Sequence, residues 1–224
     1  MTTLVSEPQR LDLKRAHQVY KNADGRRVPS VTTILGILDK PALLHWAWGL
    51  GCQGVDYRKT SGEACDIGTI AHFMCECYVK GLKWDLSEHP QELVDKAETA
   101  FLKFVSWWDK KGYKLDASEL QLVSERLQVG GTIDLVAIAP NGDRHLLDLK
   151  TSKGIYREYR MQVSAYADIY EECTGNAIDE LWIGRMGKDD EGDFETREVQ
   201  DRPQCLAAFE ALRETYDRLK LVKD

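Results

Sequence analysis

The sequence predicts an α+β fold in which a mixed central sheet is flanked by helices, with a helical decoration at the N-terminal end. Apolar residues recur at helical spacing through the first half of the chain and again at its end. Three runs rich in Val, Ile and Leu lie between those regions, and one helix-length segment separates them from two further runs. At 224 residues, 43% apolar and 30% charged, the chain suits one domain with a sizeable core rather than a disordered or fibrous protein.

The elements follow in order. His17 to Pro29 reads as a short hairpin turning at Ala23-Asp24-Gly25. Ser30 to Leu38 is a short helix capped by Ser30, and Pro41 to Leu50 another with proline in its first turn. The second carries Leu43, Leu44, Trp46 and Trp48, with tryptophans expected in core or interface and base stacking as the alternative. From Gly62 to Lys80 the positions Ile67, Ile70, Ala71, Met74 and Tyr78 share a helical face that Gly81 ends, and Pro90 to Lys111 repeats the pattern up to Gly112. Leu120 to Val129, Thr132 to Ala139 and His145 to Lys150 then read as an antiparallel meander, with turns at Gly130-Gly131 and at Pro140-Asn141-Gly142-Asp143. A helix from Arg157 to Cys173 closes at Gly175; strands at Ile178 to Arg185 and Phe194 to Val199 and a helix from Pro203 to Leu221 complete the chain. No repeat or Pro/Gly-rich linker interrupts it, so the expected organisation is a single domain over 1-224, with hairpin and helices in 1-60 and a core in 61-224.

No apolar run approaches the roughly 20 residues of a membrane span. Charges occupy Met1 to Tyr20 where a signal peptide would be apolar, so a cytoplasmic location is expected. A net charge of −7 is the wrong sign for binding nucleic acid over the whole surface and confines such binding to a local strip. Arg144 to Arg160 holds five basic and two acidic residues, whereas Lys188 to Asp201 holds two basic and seven acidic. Of six cysteines only Cys75 and Cys77 are close, as a C-x-C on a helix where i and i+2 point to different sides. With no C-x-x-C pair, reduced and buried structural thiols are expected rather than a metal cluster.

The chemistry concentrates in Gly131-Thr132-Ile133-Asp134 and Leu146-Leu147-Asp148-Leu149-Lys150-Thr151. These charges interrupt runs that otherwise read as buried, a setting that usually reflects function. The period of two puts Asp148 and Lys150 on one face. Pairing of the two strands can bring Asp134 beside Asp148, and two close carboxylates repel unless a cation separates them. Two aspartates and a strand carbonyl suit Mg²⁺. The competing reading has both aspartates at wetted strand ends, with Lys150 merely paired to one of them.

With these motifs in order the chain resembles the PD-(D/E)xK nuclease superfamily, and in particular its RecB-like and Cas4-like exonuclease branch. Gly68-Thr69-Ile70-Ala71-His72 is similar to that branch's helix motif ending in a metal-binding histidine, and Gly131-Thr132-Ile133-Asp134 to its first aspartate motif. Asp148-Leu149-Lys150 is similar to the signature Asp-x-Lys, and Gln162-Val163-Ser164-Ala165-Tyr166 to the Gln-x-x-x-Tyr helix motif. Val28-Pro29-Ser30-Val31-Thr32-Thr33-Ile34-Leu35 resembles an opening segment of phage and related nucleases. Together the motifs span His72 to Tyr166, nearly half the chain.

The resemblance implies a restriction-endonuclease-like core and a metal-dependent deoxyribonuclease, an exonuclease in recombination, repair or replication. The ligands implied are His72, Asp134, Asp148 and the Leu149 carbonyl, holding one or two Mg²⁺ or Mn²⁺ ions; imidazole favours manganese tolerance. Lys150 would position the attacking water, Gln162 and Tyr166 would hold DNA, and Lys153, Arg157 and Arg160 would contact phosphates. Glu125 is an auxiliary ligand, or one half of a surface pair with Arg126. Glu76, one turn beyond His72, stays outside the core set. The Cas4 cysteine pattern is missing, because Cys173 and Cys205 stand far apart near the C-terminus, so no iron–sulfur cluster is expected. Expected partners are single- or double-stranded DNA, a further copy or a recombination protein, and no membrane, in a bacterial or phage-infected cell. The rival is a catalytically silent DNA-binding or assembly subunit of the same fold. A sugar hydrolase built on a carboxylate pair would need a raised-pKa acid where Lys150 stands.

Overall fold

A computed structural model describes residues 18–188 and 194–222. A two-stranded hairpin, β1 (Tyr20–Lys21) and β2 (Arg27–Val28), leads into α1 (Val31–Leu35), α2 (Pro41–Cys52), α3 (Tyr57–Lys80) and α4 (Gln91–Lys111). The antiparallel strands β3 (Lys114–Ser124), β4 (Val129–Ile138) and β5 (Arg144–Lys150) follow, then α5 (Arg157–Thr174), β6 (Glu180–Arg185), β7 (Glu195–Glu198) and α6 (Arg202–Leu219). The sheet order is β3-β4-β5-β6-β7. Only β5 and β6 pair in parallel, because α5 carries the chain back across one face between them. The α+β expectation of a mixed sheet between helices is met.

Each face of the sheet buries its own core. On one side α1, α5 and α6 pack through Ile34, Val163, Ile169 and Phe209 against Val136, Leu146 and Ile183. On the other, α3 and α4 pack through Ile70, Phe73 and Phe104 against Leu135, Leu147 and Leu149. Each such fully buried large side chain contributes roughly 1.5–3 kcal/mol of transfer free energy. The helices α3, α4 and α5 stop where the sequence places their stop signals: Gly81, Gly112 and Gly175 have φ of 65°, 64° and 71°, the left-handed conformation common at helix C-termini.

The β3–β4 turn does not fall at Gly130-Gly131. It comes earlier, between Ser124 and Val129, where the Ser124 hydroxyl donates to Glu172 of α5 and accepts from the Leu127 N–H, and the Arg126 N–H donates to Glu172. Both glycines lie inside β4 for a packing reason. A Cβ on Gly130 would sit 2.2 Å from the Tyr20 ring, and one on Gly131 2.5 Å from the Tyr166 ring. The same edge receives the opening segment: the Gly130 N–H donates to the Pro29 carbonyl, and the Ser30 hydroxyl caps α1 by accepting from the Thr33 N–H.

Other boundaries also differ. The α1 helix ends at Leu35 instead of Leu38, α3 begins at Tyr57 instead of Gly62, and β3 begins at Lys114 instead of Leu120. His17, the first residue of the expected hairpin, lies outside the described residues. α2 buries none of its side chains, and Trp48 is 71% exposed, so of the expected core or interface positions it does not take the core one. All six cysteines are free thiols; Cys75, Cys77 and Cys205 are buried as expected, but Cys52, Cys65 and Cys173 are exposed. The basic strip is also broken up. Arg144 and Lys150 close opposite ends of β5, about 20 Å apart at strand rise, and Arg144 pairs with Asp116 while Arg160 pairs with Asp201. Among the described residues no helix is long and apolar enough to cross a membrane.

Candidate active site

The site grows from the point where β4 and β5 part. Leu135 pairs with Leu147, so the next step of the antiparallel register sets Asp134 opposite Asp148. Asp134 reaches across the gap, and its Oδ2 accepts the Leu149 N–H at 2.7 Å. Carbonyl directions alternate along a strand. The Lys150 carbonyl accepts the Met186 N–H on the β6 side, so the Leu149 carbonyl faces the β4 side with its own N–H.

From one face α3 delivers His72, whose Nδ1 stands 3.6 Å from Asp134 Oδ2. Gly68, one turn before it, lets the helix come this close, since a Cβ there would lie 2.9 Å from Thr151 Oγ1 at the end of β5. A third group arrives from β3. Ser118 pairs with Leu135 and Leu120 with Ile133, which sets Glu119 opposite Asp134. Glu119 has φ of 49°, uncommon for a residue with a side chain, and this local inversion turns its carboxylate toward the histidine. Ligand atoms of His72, Glu119 and Asp134 all lie within 4.8 Å of one another, in a cleft that Cys75, Glu76 and Leu149 help to line.

Asp148 faces α5 instead. Its Oδ2 is 2.6 Å from Lys150 Nζ, its Oδ1 accepts from Gln162 Nε2 at 3.1 Å, and Gln162 also donates to the Tyr166 hydroxyl at 3.1 Å. The ammonium stands over the Tyr159 ring, 5.1 Å from its centroid, which is favourable for a cation. Asp148 and Lys150 therefore share a face as the strand period requires.

Burial and charge drive the two aspartates apart. At Asp148, only 1% exposed, loss of hydration raises the carboxyl to about 6; Lys150 opposes the rise and the Asp134 charge adds to it. At Asp134 burial acts in the same upward direction but is outweighed by His72, Lys150 and the Leu149 N–H, and the carboxyl falls to about 2. His72 and Lys150 are both raised: burial works against their charged forms, and the neighbouring carboxylates outweigh it.

The remaining sequence candidates divide. Gln162 and Tyr166 are buried against Asp148 and Gly131 rather than turned to solvent. Lys153 and Arg157 are exposed at the approach to α5. Glu125 is not among the groups around Asp134, since its carboxylate accepts from the Ala23 N–H at 2.6 Å and from Gln128 at 3.0 Å. The acidic group that does stand there is Glu119, inside β3 but one residue before Leu120, where apolar patterning alone begins the strand. With the turn set after Ser124, counting back along the register reaches it.

No protein-family model matches the chain, and no curated protein matches it. Among solved structures, a protein of Eubacterium rectale provisionally called an exonuclease superposes with a TM-score of 0.45 at 13% identity, covering 66% of this chain and 68% of its own. A second protein, known by a locus tag alone, gives 0.34 at 16% identity over 61% and 64%. The chain thus spans about two thirds of the length of each.

Proposed function

We propose that the chain is a metal-dependent deoxyribonuclease of the PD-(D/E)xK type, an exonuclease formed as one domain over 1-224 on a restriction-endonuclease-like core. The observation that carries the reading is the junction of β4 and β5. Two aspartates stand there one step beyond the last paired residues, Leu135 and Leu147, one beside a histidine and a second carboxylate, the other beside a lysine.

The donor set suits a divalent ion. Two carboxylates and an imidazole converge within 4.8 Å, and such a concentration of negative charge is relieved by a cation. Asp134, Glu119, His72 and the Leu149 carbonyl would hold Mg²⁺ or Mn²⁺, with Asp148 completing the set from the opposing strand. A bound ion would polarise a scissile phosphate and lower the pKa of a water. Asp134 makes His72 hold a proton more tightly than a free imidazole, and only the neutral ring can be a ligand, so metal binding and protonation compete at His72. Lys150 keeps its charge at neutral pH and stabilises the negative charge that develops on the phosphate. Gln162 and Tyr166 act through Asp148 by fixing its orientation, while Lys153 and Arg157 meet the nucleic-acid backbone.

The test uses end-labelled linear and circular DNA, single- and double-stranded, with Mg²⁺, Mn²⁺, Ca²⁺ or excess chelator. Shortening of linear DNA in Mg²⁺ or Mn²⁺, with none in Ca²⁺ or chelator, is expected. Retention of DNA without cleavage under every metal would favour the silent binding subunit, and hydrolysis in excess chelator would overturn the metal assignment.

A further inference from the structure

We propose that Asp143, His145 and Glu180 form a second metal site, for a transition ion of the zinc type, at the end of β5 remote from Lys150. Parallel pairing sets His145 of β5 directly beside Glu180 of β6, and Asp143 reaches in from the turn that precedes β5. One ligand atom from each lies within 4.8 Å of the other two.

The histidine points to an ion and not merely to an acidic surface. Its side chain is 8% exposed, and Nδ1 is engaged with the Tyr113 hydroxyl at 2.9 Å. The buried Nε2 makes no hydrogen bond, although Glu180 Oε2 is only 3.3 Å away. With Nδ1–H donating to the Tyr113 hydroxyl, Nε2 is a bare lone pair facing two carboxylates, an arrangement that is repulsive until a cation enters between them. Among the described residues neither carboxylate has a lysine or arginine partner. Arg144, between Asp143 and His145 in the chain, pairs with Asp116, and Lys111 stands over the Trp182 ring, 5.6 Å from its centroid.

Each ligand is oriented from behind, as metal ligands commonly are. Tyr113 holds His145, the Trp182 indole N–H donates to Glu180 at 2.8 Å, and Asn141 Nδ2 donates to Asp143 at 2.6 Å. One imidazole nitrogen and two carboxylate oxygens, with a fourth position left for water, suit a tetrahedral zinc-type ion better than Ca²⁺ or Mg²⁺. Such an ion ties the β4–β5 turn, β5 and β6 together, and so supports the parallel pair that carries Asp148 and Lys150 at its far end.

The experiment takes the full chain carrying His72→Ala, which weakens the other centre, stripped with chelator and titrated with Co²⁺. Expected are visible ligand-field bands that saturate at one equivalent and are displaced by Zn²⁺, together with a rise in Tm. Glu180→Gln and Asp143→Asn, both at partly exposed positions that spare the core, should weaken Co²⁺ binding about 10–100-fold. Absence of the bands and of the Tm rise would overturn the site, as would binding that neither substitution changes. His145 Nε2 would then be a hydrogen-bond partner of Glu180 alone.

Discussion

Asp134 and Asp148 face each other at the same strand junction, yet one carboxyl is driven down to about 2 and the other up to about 6. Loss of hydration pushes both upward, so burial alone does not separate them. The difference lies in what each strand pairing supplies. Asp134 gains a backbone donor and a histidine, whereas Asp148 is set deepest, with one lysine and the repulsion of its opposite number. A carboxylate made strongly acidic beside an imidazole is suited to hold a cation. A carboxylate of raised pKa beside a lysine is suited to hold that lysine in place.

Removing the lysine breaks the comparison most severely. Lys150→Ala should lower cleavage about 10²–10³-fold in single-turnover assays, because charge stabilisation at the phosphate is lost. It also leaves Asp148 buried without a counter-charge, which costs roughly 3–5 kcal/mol unless the carboxyl takes up a proton. A near wild-type rate in this variant would detach the lysine from the chemistry.

The two sides can then be told apart by what they demand of the metal. His72→Ala should raise the metal concentration needed for cleavage about 10–100-fold, with Mn²⁺ rescuing better than Mg²⁺. Gln162→Ala loosens Asp148 while leaving His72, Glu119 and Asp134 in place, so it should lower kcat by up to a similar factor and shift the metal requirement less than His72→Ala does. Equal effects of both variants on metal titrations would erase the distinction.

The two motif glycines give a smaller contrast in stability. In Gly131→Ala the new methyl meets the Tyr166 ring at 2.5 Å and should cost about 1–3 kcal/mol in urea unfolding. In Gly68→Ala the neighbour is a threonine hydroxyl at 2.9 Å that can rotate away, so the loss should be smaller.

Finally, pH separates the aspartates in the chelated protein. Asp148 binds its proton more tightly folded than unfolded, so its contribution to stability is full below about 4 and is lost as pH rises through about 6. Asp134 has the opposite sign: its contribution is present above about 4 and is lost as pH falls through about 2. The Tm of Asp148→Asn relative to wild type should therefore rise between pH 4 and 6.5, by a few degrees. A flat difference would mean that Asp148 titrates normally.

Local chemistry made much of this protein legible from its residues. Helical spacing and a following glycine placed α3, α4 and α5 within a few residues, because capping and periodicity act over one or two turns. The two-residue period put Asp148 and Lys150 on one face, and the preceding apolar strand supplied Asp134 as a neighbour. Tertiary structure alone decided where the β3–β4 turn falls, since Gly130 and Gly131 serve two distant tyrosine rings rather than a bend. That choice set the register bringing Glu119 opposite Asp134. It likewise turned Gln162 and Tyr166 inward to Asp148, and set His145 beside Glu180 across a crossover helix. Such partners are separated by tens of residues. Their meeting depends on strand register and helix docking, which the packing of the whole sheet determines and no local spacing encodes.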